Sequence, residues 1–128
     1  MKTTLLTTLS VSMLTMTGLS ADEQYNHFPS LEAPDTTVAL CNLNKFNARL
    51  AGIVEQSEIG VEDMLKIHEL TYTLENAVQR LQQDLEGIAA ELEKTHKGSE
   101  AMQQDTVKSS ANAYLKALSP ILAPKHCG

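Results

Sequence analysis

The chain has 128 residues, a formal net charge of −6, no tryptophan and two cysteines. This length allows one domain at most, and the acidic balance disfavours nucleic acid and anionic membrane surfaces as partners. With only three tyrosines and two phenylalanines, the core has to be mainly aliphatic, and a core of this size is thin.

Residues 1–21 have the organisation of a secretory signal peptide. Lys2 supplies a positive charge, residues 5–19 are uncharged and largely apolar, and small residues follow before the first acidic pair. This pattern predicts export with cleavage after Ser20 or Ala21. The apolar run of about 15 residues is shorter than the roughly 20 that span a bilayer, so we expect no stable membrane anchor after cleavage.

A leader without helical periodicity follows at residues 22–34. It contains two prolines, and we expect Tyr25 and Phe28 to hold it against the helices. The helical domain then comprises residues 35–128.

The first predicted helix starts at Asp35 or Thr36, because both residue types are good N-caps and a proline precedes them. Apolar residues then recur at the spacing of one helix face: Val38, Cys41, Phe46, Leu50 and Ile53. The helix should end near residues 56–57, before a turn at Gly60.

The second predicted helix carries the strongest pattern in the chain. It should run from about Val61 to at least Lys97, and its end lies between Lys97 and Met102. Alternating steps of three and four residues form an a/d heptad seam over more than four heptads: Met64, Ile67, Thr71, Leu74, Val78, Leu81, Leu85, Ile88, Leu92 and Thr95. Such a seam indicates a long helix that packs along most of its length.

The third predicted helix is shorter, with Asp105 or Thr106 as its cap and Pro120 and Pro124 bringing it to a close. The three lengths predict an all-α fold in which a long central heptad helix is flanked antiparallel by two shorter helices. This is a three-helix bundle with a thin core. The strict seam also allows the central helix to pair with a second copy, so a monomer and a homodimer both remain open.

The two cysteines are expected to form a disulfide. In an oxidising compartment, two cysteines most simply make one bridge. If the short helices cover the two halves of the long one, the start of the first and the end of the third meet near its middle, which brings Cys41 and Cys127 together. Two free thiols, or a bridge between chains, are the alternatives.

The run from His68 to Ala77, HELTYTLENA, resembles the domain-of-unknown-function family DUF6746, a family of small exported helical proteins of Gram-negative bacteria. Residues 26–28 and the pair Tyr114–Leu115 are also similar to that family. The resemblance would cover nearly all of the chain after the signal. It implies a periplasmic helical protein and no known reaction, and the cysteines are not part of the pattern.

Four polar residues of the long helix form the candidate binding patch. His68, Tyr72 and Glu75 share a face at spacings of four and three, and Asn76 follows directly. A histidine beside a carboxylate is typical of a proton site or half of a metal site. A hydrogen-bonded polar patch beside the seam would explain the same residues without any ligand.

A metal hypothesis depends on His68 and His96, which occupy the same heptad position. In an antiparallel dimer centred on Gln82, His68 of one chain would approach His96 of the other. With nearby glutamates, two such histidines are suitable ligands for Zn²⁺ or Cu²⁺.

No constellation for catalysis is present in the sequence. There is no phosphate-binding glycine loop, nucleophile motif or clear acid–base pair, and Tyr72 stands where a zinc-protease motif starting at His68 needs its second histidine. We therefore expect no enzyme and no cofactor. The predicted function is a non-enzymatic periplasmic protein that binds another protein or itself; the alternative is a small metal- or haem-binding bundle.

Overall fold

The computed structural model describes residues 30–123 and Cys127. Three helices follow one another in chain order: α1 (Thr36–Val54), α2 (Val61–Glu100) and α3 (Gln104–Leu122). The short helices α1 and α3 each pack on α2 and contact each other little. Residues 30–123 contain no strand, and the predicted all-α three-helix bundle is confirmed. The predicted signal peptide lies outside the described residues.

The start of α1 is where its capping chemistry predicts it. Asp35 is extended, and its carboxylate accepts a hydrogen bond from the Val38 N–H at 2.9 Å. This bond satisfies one of the backbone donors that the first turn of a helix leaves without a partner. The helix then ends at Val54, two residues before the predicted end.

The C-terminus of α2 lies at Glu100, beyond the glycine at position 98. Met102 adopts a left-handed conformation with φ of 56°. The Met102 N–H donates to the Ser99 carbonyl at 3.2 Å and the Gln103 N–H to the Gly98 carbonyl at 2.8 Å. These two bonds form a Schellman motif, which ends a helix by returning the chain over its last carbonyls.

Gly98 lies inside α2 because α3 approaches it closely. A Cβ atom at this position would lie 3.1 Å from a Thr106 methyl carbon and 3.2 Å from a Val107 methyl carbon. Gly98 therefore allows the two helices to pack directly after their tight connection. Thr106 is used in this contact, and α3 begins earlier than predicted, with Gln103 as its N-cap.

Pro120 does not close α3, which continues to Leu122. A proline inside a helix removes the hydrogen bond to the carbonyl four residues earlier, and its ring crowds that carbonyl. The helix regains a backbone bond at its end, where the Ala123 N–H donates to the Ser119 carbonyl at 2.9 Å.

The core is small and lies mostly between α1 and the first half of α2. Phe46, Leu70 and Leu74 form its centre. Half-buried apolar residues of α1 pack around them: Leu43, Leu50 and Ile53. Since α1 and α3 lie on one side of α2, a considerable part of the surface of α2 remains uncovered.

The predicted disulfide is confirmed. Cys41 and Cys127 are bonded, with their Cα atoms 5.4 Å apart and a sequence separation of 86. The bond ties the first half of α1 to the chain beyond α3. A loop of this length corresponds to roughly 4 to 5 kcal/mol in the chain-entropy model.

Within the described part of the chain, no helix combines the length and hydrophobicity required to cross a membrane.

Candidate functional site

Two side chains of the polar patch predicted on α2 are in direct contact. The Tyr72 hydroxyl lies 3.0 Å from His68 Nε2, within hydrogen-bond distance. The two rings meet edge to face, with their centroids 4.9 Å apart. Their spacing of four residues places them one above the other on the helix.

The side chain of Asn76 is hydrogen-bonded to the leader. Its side-chain amide donates to the Leu31 carbonyl at 3.1 Å, and the Leu31 N–H donates to the hydroxyl of the buried Thr73 at 3.0 Å. Asn42 adds a third bond, to the Glu32 carbonyl at 3.2 Å. Asn76 thus has a structural role, holding residues 31–32 against the helices. The predicted contacts of Tyr25 and Phe28 lie outside the described residues.

Glu75 lies one turn beyond Tyr72, on the open side of α2. It lines a shallow groove of about 530 Å³ together with Thr71, Leu74 and Val78. This groove is a surface depression along the heptad seam, and Glu75 is exposed in it.

The two histidines of the metal hypothesis are far apart in one chain. Twenty-eight positions of a continuous helix separate His68 from His96, which corresponds to roughly 40 Å. His96 Nε2 lies 3.4 Å from a carboxylate oxygen of Glu100. Among the described residues, no group of three or more potential ligands is arranged to hold a metal ion. The other two histidines, His27 and His126, lie outside the described residues.

The heptad seam divides into a packed row and an exposed row. Row d is buried or half-buried: Ile67, Leu74, Leu81, Ile88 and Thr95. Row a points to the uncovered side, with Thr71 half-buried and the other four exposed: Met64, Thr71, Val78, Leu85 and Leu92. Its four apolar members are 60%, 45%, 51% and 48% exposed, from Met64 to Leu92. Both rows have the same spacing and mostly apolar residues in the sequence. Their difference in exposure comes from the positions of α1 and α3 on α2.

The exposed row lies on a face that is almost free of charge. Row e flanks row a on the side away from row d: His68, Glu75, Gln82, Ala89 and His96. Among the three rows of five residues, only Glu75 carries a formal charge, whereas charged residues make up 20% of the whole chain. Depletion of charge around exposed apolar residues is typical of the centre of a protein interface.

The threonines of the seam have their hydroxyl groups satisfied within α2. Thr71 donates to the His68 carbonyl at 2.7 Å, and Thr95 donates to the Glu91 carbonyl at 2.9 Å. Neither hydroxyl therefore needs a partner from another chain. Both residues can lie at an interface without leaving a buried polar group unsatisfied.

Sequence reasoning missed a second surface, on a different side of α2. Lys45 and Arg49 flank Phe46 on α1, and all three line an open groove between α1 and α2. The Arg49 guanidinium carbon lies 4.9 Å from the centre of the Phe46 ring. The available signal was the spacing of two cations by four residues beside an aromatic, in a helix that contains no acid.

Of the comparisons with known proteins, the one with family models finds a match. Neither a curated protein nor a solved structure matches the chain. A family model described as a family of unknown function, DUF6746, matches residues 1–123, and the chain therefore belongs to that family.

Proposed function

We propose that this protein is a non-enzymatic helical protein of the bacterial periplasm that works by self-association through the uncovered face of α2. The observation that carries the proposal is the exposed, regularly spaced row a, bordered by positions that are nearly free of charge. The signal-like organisation of residues 1–21 supports the location. A regular apolar row is typical of a coiled-coil contact, in which the partner offers the same spacing.

An antiparallel arrangement about a two-fold axis at Val78 covers the whole row. Met64 then lies opposite Leu92 of the second copy, and Val78 lies opposite Val78. Thr71, the one polar member, lies opposite Leu85. A two-fold interface of this kind is self-complementary, because every contact occurs twice.

The helix dipoles favour the antiparallel direction over the parallel one, and the charge beside row a permits it. In the antiparallel register, Glu75 lies opposite Gln82 of the second copy, an uncharged amide. The antiparallel pair places the two helix dipoles side by side in opposite directions, which is their favourable lateral arrangement.

Sedimentation equilibrium from micromolar to submillimolar concentration tests this proposal. The signal-cleaved protein should sediment with twice the mass of one chain. Val78→Glu should sediment as a folded monomer, because it places two carboxylates opposite each other at the axis. Leu115→Glu is the matched control, since Leu115 is a similarly exposed leucine on α3, at 60%, and this variant should remain dimeric. A wild-type protein that stays monomeric throughout would contradict the proposal.

A further inference from the structure

The floor of the groove between α1 and α2, described above, is apolar. The groove has a volume of about 620 Å³, and Phe46, Leu70 and Ile53 form its floor. Leu31, held by its two backbone hydrogen bonds, also lines it. A volume of this size lies within the range of small-molecule sites, and the apolar floor favours a hydrocarbon body.

Cations border this floor, although the chain as a whole is acidic. Lys45, Arg49 and Lys66 line the groove, and Glu69 is the one acidic residue of the described chain that does so. Lys66 is already paired, at 3.0 Å with Glu62 and 3.6 Å with Asp63. Lys45 and Arg49 form no ion pair within residues 30–123. They are the only charged residues of α1, and both line this groove.

The geometry points to a binding site for a single-chain fatty acid, whose hydrocarbon tail lies on Phe46, Leu70 and Ile53 and whose carboxylate pairs with Arg49 and Lys45. The planar guanidinium of Arg49 presents donors in a fork that matches a carboxylate. The side chain of Lys45, one turn earlier, adds a second positive charge. An uncharged amphiphile would leave both cations without a counter-charge, so the site distinguishes the acid from the alcohol of the same length.

Calorimetric titration of the signal-cleaved protein with dodecanoate, below its micelle concentration, tests the site. We expect saturable binding of one molecule per chain, weaker at high salt because the charge pairing is screened. Decanoate should bind about fifteenfold more weakly, since it buries two fewer methylene groups. Dodecanol should bind at least about tenfold more weakly than dodecanoate, which corresponds to the loss of a charge-assisted hydrogen bond.

Variants that remove positive charge test where the carboxylate of dodecanoate binds. Lys45→Gln with Arg49→Gln should weaken dodecanoate binding at least about tenfold and leave dodecanol binding unchanged. Lys94→Gln with Lys97→Gln removes the same charge from the far half of α2 and should change neither. All four substituted residues are exposed, so both double variants should fold. Circular dichroism checks this.

Four results would overturn the inference. They are the absence of saturable binding, equal affinity for acid and alcohol, insensitivity to the Lys45 and Arg49 substitutions, and amide shifts in NMR spectra that map to row a rather than to Phe46 and Leu70.

Discussion

The Thr36 hydroxyl donates a hydrogen bond of 2.7 Å to the Asp84 carboxylate, joining the first turn of α1 to the middle of α2. Arg80 holds the same carboxylate from within α2, with Nη2 at 3.0 Å from one oxygen and Nε at 3.2 Å from the other. Burial of Asp84 favours its protonated form, but the Thr36 hydrogen bond and the hydrogen bond and charge of Arg80 outweigh it. Together they hold the pKa of Asp84 below its ordinary value.

This contact predicts a dependence of stability on pH. Because the folded pKa of Asp84 lies below the unfolded value of about 4, ionised Asp84 stabilises the fold above that value. The contribution is lost as the pH falls through the folded pKa. Asp84→Asn should lower the free energy of unfolding by roughly 1 kcal/mol at pH 7, and the difference from wild type should shrink below pH 4.

Urea titrations at pH 7 and pH 3 measure this difference. Glu58→Gln, which changes an exposed carboxylate in the α1–α2 connection, is the control and should match wild type at both values. A difference between Asp84→Asn and wild type that is as large at pH 3 as at pH 7 would show that ionisation of Asp84 is not the cause.

Replacement by alanine should change the stability of the protein in opposite directions at two glycines of α2. At Gly87 nothing lies within 4 Å of an added Cβ, so Gly87→Ala should stabilise the protein by up to about 1 kcal/mol through helix propensity. At Gly98 the added Cβ would meet Thr106 and Val107 at 3.1 to 3.3 Å. Gly98→Ala should therefore lower the melting temperature, because α3 has to move away. Thermal unfolding of both variants checks the pair, and stabilisation by Gly98→Ala would refute the close approach.

Met102 is a residue with a side chain in a position that favours glycine. Its φ of 56° is left-handed, and its side chain is 87% exposed, so the side chain contributes little packing. Met102→Gly should stabilise the fold by roughly 1 kcal/mol, since the left-handed conformation costs about that much for a residue with a Cβ. Urea denaturation measures it. Met102→Ala, which keeps the Cβ, should show no such gain.

The disulfide should control stability only in oxidised protein. Cys41→Ser with Cys127→Ser should lower the free energy of unfolding by up to about 5 kcal/mol relative to the oxidised wild type. Reduction of the wild type should lower its stability to the level of the double variant, whose own stability should not respond to reductant. A wild-type melting temperature that is unchanged by complete reduction would contradict this role.

The fold was predictable because its main signals are local residue patterns and the lengths of the helices. The cap at Asp35 and the heptad spacing fix the helices, and helix lengths with short turns bring Cys41 near Cys127. The end of α2 was not decided, because Gly98 suits a helix end as well as a close helix contact. Only the position of Thr106, which packs on Gly98 after the chain turns back, distinguishes the two.

The candidate site was predictable only in part, because surfaces depend on what covers them. The contact of His68 with Tyr72 follows from their spacing. The bond of Asn76 to Leu31 joins residues 45 positions apart, and no local pattern indicates it. The exposure of row a rather than row d depends on the side of α2 to which α1 and α3 dock. The groove at Lys45 and Arg49 forms only where α2 packs beside α1. The residues that α2 contributes are distant in sequence from Lys45 and Arg49, so no local pattern indicates the groove.

Cysteine cross-linking at the proposed two-fold axis tests the self-association of α2 most directly. In the antiparallel register centred on Val78, Cβ atoms at position 78 face each other, within the short range that a disulfide requires. Val78→Cys should therefore form a covalent dimer under mild oxidation, whereas Leu115→Cys on α3 should not. A dimer through Gln82→Cys instead would favour the register that brings His68 near His96. Failure of both variants on α2 to cross-link, in protein with its Cys41–Cys127 bond intact, would contradict pairing through this face.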